Sequence, residues 1–517
     1  MRIRSETAAF LKEYFTLMLP ITLGNLLTWG IPFTDHFMTA SLGSDLSTGI
    51  FLSNQVSIIL GFLVTGLESG ISIVGSQSLG EGDRGGFAKT VSAVLYLTLA
   101  LSFVFTLISF LFPDSVLKIL SGSGKITDTG AAFLKIIALS FPIQSLSRII
   151  IASARAEGAP SLSLIAPLTA LISNTLLNYL MIDGVFKLGA VGVGYATLIS
   201  RGIELGVSLI FTICSKKIVT RPKDMLITTK SSVTVLKKSL FPILTGQAVW
   251  AFSNLFSTSV MSHMGSAAAH AFAVTASLMN LVYTAMNGAS VAAGIMISRS
   301  VGRACSDTAK QDSAPTVDTE VEVAAVKETP STVGKKSSGS AAKESSRCIR
   351  SEGNTLQDEG RVKLSDAINH RTPIAKGPRE IAHIAEGIFL AVGLLSFIII
   401  TILREPFIAL YKLDAVSAAL ARSLIPIMAA TFVATSYSAP SLFGIIKSGG
   451  DVSFVTFVDL LSFFLLTLPL TLVLSRTGAS CESVYIALRI EHIVKCPIAY
   501  ARIRQGHFTR RLTAAPE

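Results

Sequence analysis

Charged residues are scarce in this chain, and their scarcity limits the class of protein it can be. Only 15% of the 517 residues are Asp, Glu, Lys or Arg, while 50% are hydrophobic. Soluble proteins carry about 25% charged residues. Together with a mean hydropathy of +0.60, this composition excludes an ordinary soluble domain. It predicts a multi-pass, all-α membrane protein, because a helix satisfies its own backbone hydrogen bonds in lipid.

Cysteines and enzyme motifs are also sparse. The five cysteines have neither the spacing of a zinc site nor that of a disulfide framework, so we expect reduced thiols. The chain lacks the Gly-x-x-x-x-Gly-Lys-Ser/Thr loop that holds nucleotide phosphates, and it lacks His-Glu-x-x-His and Gly-x-Ser-x-Gly. We therefore predict that the protein is not an enzyme, has no cofactor and draws its energy from an ion gradient or a partner.

Twelve apolar segments are long enough to cross a bilayer. The first lacks a small-residue cleavage site, and we expect it to remain as the first helix. The last contains Glu482, Arg489 and Glu491 and is the weakest of the set. The predicted spans cover residues 14–43, 49–78, 90–112, 131–152, 161–182, 189–213, 239–262, 268–300, 380–403, 418–443, 453–475 and 482–500.

The basic residues predict an orientation. Lys and Arg concentrate before the first span, in the loop between spans 6 and 7, and after the last span, whereas loops 1–2 and 7–8 contain none. The positive-inside rule then predicts that both termini lie in the cytoplasm, and we expect a plasma or inner membrane location. The same placement accounts for the net charge of +11, so a nucleic-acid partner is not expected.

The two halves of the chain repeat each other. Pro20 and Gly24 correspond to Pro242 and Gly246 at an offset of 222, and this offset holds without gaps for sixty residues. Later, Arg155 in "ARAEGAP" matches Lys447 in "IIKSGGD" at an offset of 292. Six spans in each half predict two lobes with the same orientation, related by a pseudo-twofold axis along the membrane normal. Rocking of such lobes about a central cavity would give alternating access.

The difference between the offsets, 292 − 222 = 70, measures an insertion in the second half. It is rich in Ser, Thr, Lys and Glu and poor in aromatic residues, which predicts a disordered cytoplasmic linker. A docking or phosphorylation segment is the alternative. The predicted organisation is an N-terminal lobe at 1–213, a linker at 214–238, the start of the C-terminal lobe at 239–302, the insertion at 303–375, and the rest of that lobe with a basic tail at 376–517.

Polar residues within the spans are costly and call for partners. Asp35 is the only formal charge between Glu13 and Asp45. Counted from the predicted outer ends of their spans, Asp35, Asn174, Asn178 and Thr197 lie roughly 8–15 Å below the outer surface. Asn174 and Asn178 are four residues apart and share a helix face. These oxygen-bearing side chains predict a site for Na⁺ or a proton, although Asn and Thr also serve as polar contacts between helices.

Glu68, Arg201 and Glu204 are further ionisable residues within predicted spans. Glu68, in the cytoplasmic half of span 2, would contact a cationic substrate, close an inner gate or reach the headgroups. Arg201 and Glu204 are three residues apart in span 6 and are predicted to form an ion pair.

Several motifs together resemble the MATE family, the multidrug and toxic compound extrusion transporters. They are "LPITLGNLL", "TDHFMTASLG", "GSQSLGEGD", "RAEGAPSL", "NTLLNYLMIDG" and "LGAVGVGYATLISR". The resemblance implies twelve helices in two lobes and export of organic cations, often drugs, in exchange for Na⁺ or H⁺. It also implies that Asp35, Asn174, Asn178 and Thr197 form the cation site. Spans 7 and 10 contain no acid, which argues against coupling in the second lobe.

Two other functions compete with an antiporter. A lipid or lipid-linked precursor flippase of the same superfamily would have a cavity rich in Arg and Lys, and the sequence predicts few cavity cations here. A membrane scaffold that recruits partners through the insertion would not need Asp35 or Glu68. The sequence therefore favours a monomeric, cation-coupled exporter of small organic cations.

Overall fold

The computed structural model describes residues 2–39, 44–121, 128–182, 186–215, 218, 230–312, 377–411 and 413–512. Within these ranges the secondary structure is helical, apart from an isolated bridge between Gly450 and Thr509. Twelve helical segments occupy the predicted spans, and the span numbers are kept for them. Residues 313–376, which make up most of the predicted insertion, lie outside the described ranges.

The first lobe contains spans 1 to 6. Span 4 is two helices that meet at Leu139 with a bend of 42°, three residues before Pro142, whose missing N–H weakens the helix there. Span 2 continues through a short π-helix at Ile71–Gly75 to Glu81. In order, the spans are Arg2–Thr39, Ser44–Gly70 with its continuation, Arg84–Leu111, Asp128–Ala138 with Ser140–Ala156, Leu162–Ile182, and Gly189–Cys214.

The second lobe contains spans 7 to 12. Spans 10 and 11 each include a π-helical segment, at Ser441–Ile446 and Ser462–Thr467. Span 8 extends to Asp312, so the first ten residues of the predicted insertion, 303–312, are helical. In order, the spans are Lys230–His263, Ser266–Asp312, Pro378–Leu410, Ala415–Pro440 with its continuation, Val452–Leu461 with Leu468–Arg476, and Cys481–Gln505.

Nine segments of the described chain are long and apolar enough to cross a membrane, and the bent span 4 makes a tenth. Spans 7 and 12 complete the twelve. Span 12 is polar, and part of its charge is paired inside the lobe: Lys495 Nζ lies 3.0 Å from Asp459 of span 11 and 3.4 Å from Glu491. Pairing offsets much of the cost of burying charge, which explains how this segment can lie among apolar neighbours.

Reciprocal contacts relate the lobes by a pseudo-twofold axis. A Cβ atom at Gly80 of span 2 would collide with the carbonyl oxygen of Arg299 in span 8, and one at Gly302 of span 8 would collide with that of Gln77 in span 2. Since 77 + 222 = 299 and 80 + 222 = 302, each contact is the symmetry-related copy of the other. The absence of side chains at the two glycines lets spans 2 and 8 cross in close contact.

The chain after span 12 joins both lobes at the same end of the bundle. We call residues 506–512 the C-terminal strap. On the second lobe, the Arg510 N–H donates to the carbonyl of Gly449 at 2.7 Å. On the first lobe, the Leu512 N–H donates to Gln77 Oε1 at 3.0 Å, and Arg511 pairs with Glu81 at 3.0 Å. The strap therefore holds the lobes together beside the crossing of spans 2 and 8.

Candidate cation-coupling site and central cavity

Span 5 packs between spans 1 and 6, and this arrangement assembles the polar site of the first lobe. Asp35 in span 1 is 1% exposed, and Asn174 and Asn178 in span 5 are fully buried. Asn178 Nδ2 donates to Asp35 Oδ1 at 2.7 Å. The Thr197 hydroxyl, from span 6, donates to Asp35 Oδ2 at 3.2 Å. Both carboxylate oxygens thus have a donor from another helix.

The same side chains also bond to one another. Asn174 Nδ2 donates to Thr197 Oγ1 at 3.3 Å, and Asn178 Nδ2 lies 3.3 Å from Asn174 Oδ1. The four residues therefore form a closed ring, which the sequence predicted from their matched depth. Asn174 and Asn178 reach it together because residues four apart lie on one helix face.

One acceptor in this ring lacks a partner. Asn178 Oδ1 is buried, and the described residues offer it no hydrogen-bond donor. A buried carbonyl oxygen without a partner is costly, and cations such as Na⁺ and Ca²⁺ prefer ligands of this kind. With the carboxylate of Asp35, the amide oxygen of Asn174 and the hydroxyl of Thr197, it makes up a donor set suited to a hard cation. Within the described residues, no group of three or more His, Cys, Asp or Glu is placed to hold a metal ion.

A cavity of about 290 Å³ lies between the lobes, within the described part of the chain. Spans 1, 2, 4 and 6 line it on one side, and spans 7, 8 and 10 on the other. Its aromatic residues include Trp29 and Trp250, the chain's two tryptophans. Trp250 packs edge-on against Phe62 with ring centroids 4.5 Å apart, and it lies 6.3 Å from the Tyr283 ring. The size and lining are those of a site for a small organic molecule.

Glu68 lies in the cavity wall and is bound by two arginines of span 4. Arg148 Nε donates to Glu68 Oε1 at 2.6 Å, and Arg155 Nη2 donates to Oε2 at 3.0 Å. Arg148 also donates to Thr65 Oγ1 at 2.8 Å. Glu68 is 5% exposed, so the proposed contact with headgroups is wrong. Its charge is neutralised within the lobe, and it offers no free carboxylate to a cationic substrate.

Two more basic residues line the cavity. Arg201 pairs with Glu204 at 2.8 Å, which confirms the predicted ion pair. Lys447, at the end of span 10, is 5% exposed, and its Nζ lies 5.3 Å from the centroid of the Phe443 ring. The described residues give Lys447 no carboxylate within ion-pair distance.

The sequence predicted few cationic residues in the cavity, and the structure corrects this expectation. Four line it, against the one acid Glu68: Arg148, Arg155, Arg201 and Lys447. Sequence reasoning missed Arg155 and Lys447 because both lie near predicted span ends, where basic residues commonly face headgroups. Their correspondence in the repeat was the available signal, since a pseudo-twofold axis brings equivalent residues to the same central space.

Comparisons with known proteins agree with this architecture. Residues 20–180 match the MatE family model. The chain is 26% identical over 202 residues to the probable multidrug resistance protein NorM of Listeria monocytogenes, covering 38% of this chain and 44% of that protein. It is 30% identical over 198 residues to the multidrug export protein MepA of Staphylococcus aureus, covering 38% and 44%. The chain thus spans less than half the length of these curated relatives.

The fold extends the similarity along the whole chain. The structure superposes on the crystal structure of the Vibrio cholerae MATE transporter VcmN in the bent form with a TM-score of 0.72. The two are 15% identical in sequence, and the match covers 98% of this chain and 100% of that one. The resemblance read from the sequence motifs is confirmed, and the twelve helices in two lobes are those of this transporter fold.

Proposed function

Since the chain is a multi-pass membrane protein with a MatE domain in a MATE transporter fold, we propose that it is a cation-coupled antiporter that exports organic compounds by alternating access. The relatives named above are multidrug resistance and export proteins, which supports efflux as the activity. The basic loops support a location in the plasma or inner membrane with both termini in the cytoplasm. We propose that the exporter acts as a monomer.

One observation carries the coupling proposal. The carboxylate of Asp35 is buried in the first lobe and accepts hydrogen bonds from two other spans. Beside it lies the amide oxygen of Asn178, which has no partner among the described residues. An isolated buried carboxylate is costly, so a cation that enters the ring stabilises it and a cation that leaves alters the contacts of span 1 with spans 5 and 6. A change in these contacts reaches the cavity because Trp29 and Pro32 of span 1 line it.

Alternating access further requires contacts that break at one end of the bundle and form at the other. In this structure, the C-terminal strap and the crossing of spans 2 and 8 join the lobes at one end. We propose that Na⁺ or H⁺ binding at Asp35 favours one arrangement of the lobes and that substrate binding in the cavity favours the other. Each ligand then shifts the equilibrium by its difference in affinity for the two arrangements.

Intrinsic fluorescence offers a direct test, because both tryptophans line the cavity. Purified protein would be titrated with NaCl against choline chloride at constant ionic strength, and separately with acid. We expect a saturable change in fluorescence with one of the two cations in the wild type and none in Asp35→Asn. Asp114→Asn, near the start of a short helix after span 3, is the matched control. An equal response of Asp35→Asn and wild type would exclude Asp35 as the coupling residue.

A lipid or lipid-linked precursor flippase is the second candidate function. The observation that favours it is the basic lining of the cavity, which suits a phosphate headgroup. The resemblance to MATE proteins favours organic cations as substrates, whereas this lining favours anions.

A further inference from the structure

The side chains that line the cavity carry more positive than negative charge. Glu68 is the single carboxylate partner shared by Arg148 and Arg155, so that cluster has one net positive charge. Arg201 is balanced by Glu204. Lys447 has an aromatic neighbour and no carboxylate partner among the described residues. The lining residues include four bases and the acid Glu68, and Glu204 adds a second acid. In this set, positive charges exceed negative charges by two.

The excess charge comes from both lobes. Arg155 lies in the last turn of span 4 of the first lobe. Lys447 directly follows the π-helical end of span 10 in the second lobe. Both side chains are at least nine-tenths buried, at 8% and 5% exposure, and both line the same cavity. Arg155 Nε has no hydrogen-bond partner among the described residues. A buried donor without an acceptor and a buried ammonium without a carboxylate are both costly, and one anion between the lobes would relieve both costs.

The lining also contains aromatic side chains. Trp29, Phe62, Trp250 and Tyr283 offer flat apolar surface, and paired or stacked rings hold aromatic ligands well. If the protein exports organic compounds as proposed, we infer that its substrate is a small aromatic organic anion. The carboxylate or sulfonate of this anion would lie between Arg155 and Lys447, and its rings would pack on the aromatic side chains named above. This substrate is opposite in charge to the organic cations expected from the sequence.

The inference has a consequence for the coupling. Export of an anion and entry of a cation both move positive charge into the cell. An inside-negative membrane potential therefore drives both halves of the exchange. One-for-one exchange of an organic cation for Na⁺ or H⁺ would instead be electroneutral.

Two dyes with one ring system and opposite charges provide the test. Fluorescein is an anion and rhodamine 6G a cation, and both share the xanthene core. Binding to the purified full-length chain would be followed by dye anisotropy, without any ion gradient, so the result does not depend on coupling at Asp35. We expect fluorescein to bind at least about tenfold more tightly than rhodamine 6G. Preference for rhodamine 6G, equal affinity, or binding of neither dye would overturn the inference.

Charge-removing variants assign the binding to the proposed residues. Lys447→Gln and Arg155→Gln are each expected to weaken fluorescein binding by about tenfold, while Lys447→Arg retains it. Arg476→Gln, at the exposed end of span 11, is the control and should bind as the wild type does. Because Arg155→Gln also changes the Glu68 cluster, Lys447→Gln is the deciding variant. Unchanged affinity in that variant would contradict the inference.

A lipid phosphate competitor separates the small anion from a lipid substrate. Polyprenyl phosphate in detergent micelles would be added to the fluorescein complex and, in parallel, assayed directly for binding. We expect weak displacement, because the cavity volume suits a small molecule. Tight binding of polyprenyl phosphate without binding of fluorescein would refute the small aromatic anion and favour the flippase.

Discussion

Arg155 and Lys447 occupy equivalent positions in the two lobes, and both line the same cavity. Their offset, 447 − 155 = 292, is that of the second half of the repeat. Three residues after each, Gly158 and Gly450 turn the chain with positive φ values of 90° and 113°. The duplication has therefore kept both the turn and the buried base before it. Glu68, which Arg148 and Arg155 share, corresponds to Ser290 in the second lobe.

Removing the carboxylate of Asp35 should abolish cation-driven transport. Asp35→Asn keeps the shape of the side chain but cannot ionise, so no cation is attracted into the ring. Fluorescein binding should persist, because Asp35 does not line the cavity. Export from inside-out vesicles under imposed Na⁺ or pH gradients measures the first effect, and dye anisotropy the second. Export by Asp35→Asn at the wild-type rate, in vesicles with equal amounts of protein, would contradict the prediction.

Removing the hydroxyl of Thr197 should destabilise the first lobe. In Thr197→Val, Asn174 Nδ2 loses its acceptor and Asp35 loses one of its donors. Groups left unpaired in a buried site cost about 1–3 kcal/mol. Thermal unfolding in detergent, followed by tryptophan fluorescence, should show a lower Tm. Thr197→Ser retains the hydroxyl and serves as the control, so equal Tm losses in both variants would point to lost packing.

Neutralising Glu68 should destabilise the protein more than neutralising it together with one of its arginines. Glu68→Gln leaves the buried Arg155 and the partly buried Arg148 without their shared carboxylate, and breaking a buried ion pair costs about 3–5 kcal/mol. The double variant Glu68→Gln/Arg148→Gln removes one of those charges and should recover part of the loss. Unfolding measurements on the two single variants and the double variant give the coupling energy. Additive effects would show that the contact contributes no net stability.

Deleting the C-terminal strap should open the end of the bundle where spans 2 and 8 cross. Removal of residues 507–517 eliminates the Arg511–Glu81 and Arg510–Asp451 ion pairs. Cys305 in span 8 is partly buried. In a variant where it is the sole cysteine, deletion should increase its rate of reaction with a bulky maleimide. Cys214, which is exposed, provides the matched single-cysteine control. Faster labelling at both positions would indicate general loosening of the protein instead.

The predicted linker should be dispensable for transport. Replacing residues 313–375 with a flexible Gly/Ser segment keeps the helical end of span 8 at Asp312. We expect gradient-driven export to be retained at the same level of membrane-inserted protein. Loss of export in inserted protein would show that this segment has a function of its own.

The sequence by itself determined the twelve spans, their duplication and the polar ring at Asp35. Hydrophobic length and helical spacing are local properties, and a lone acid in lipid needs polar companions at its own depth. Only the tertiary structure decided the charge of the cavity. The partners of Glu68 lie 80 and 87 residues away along the chain, and hydropathy does not say which bases share a carboxylate. Whether Arg155 and Lys447 face lipid headgroups or the cavity depends on how the two lobes pack together.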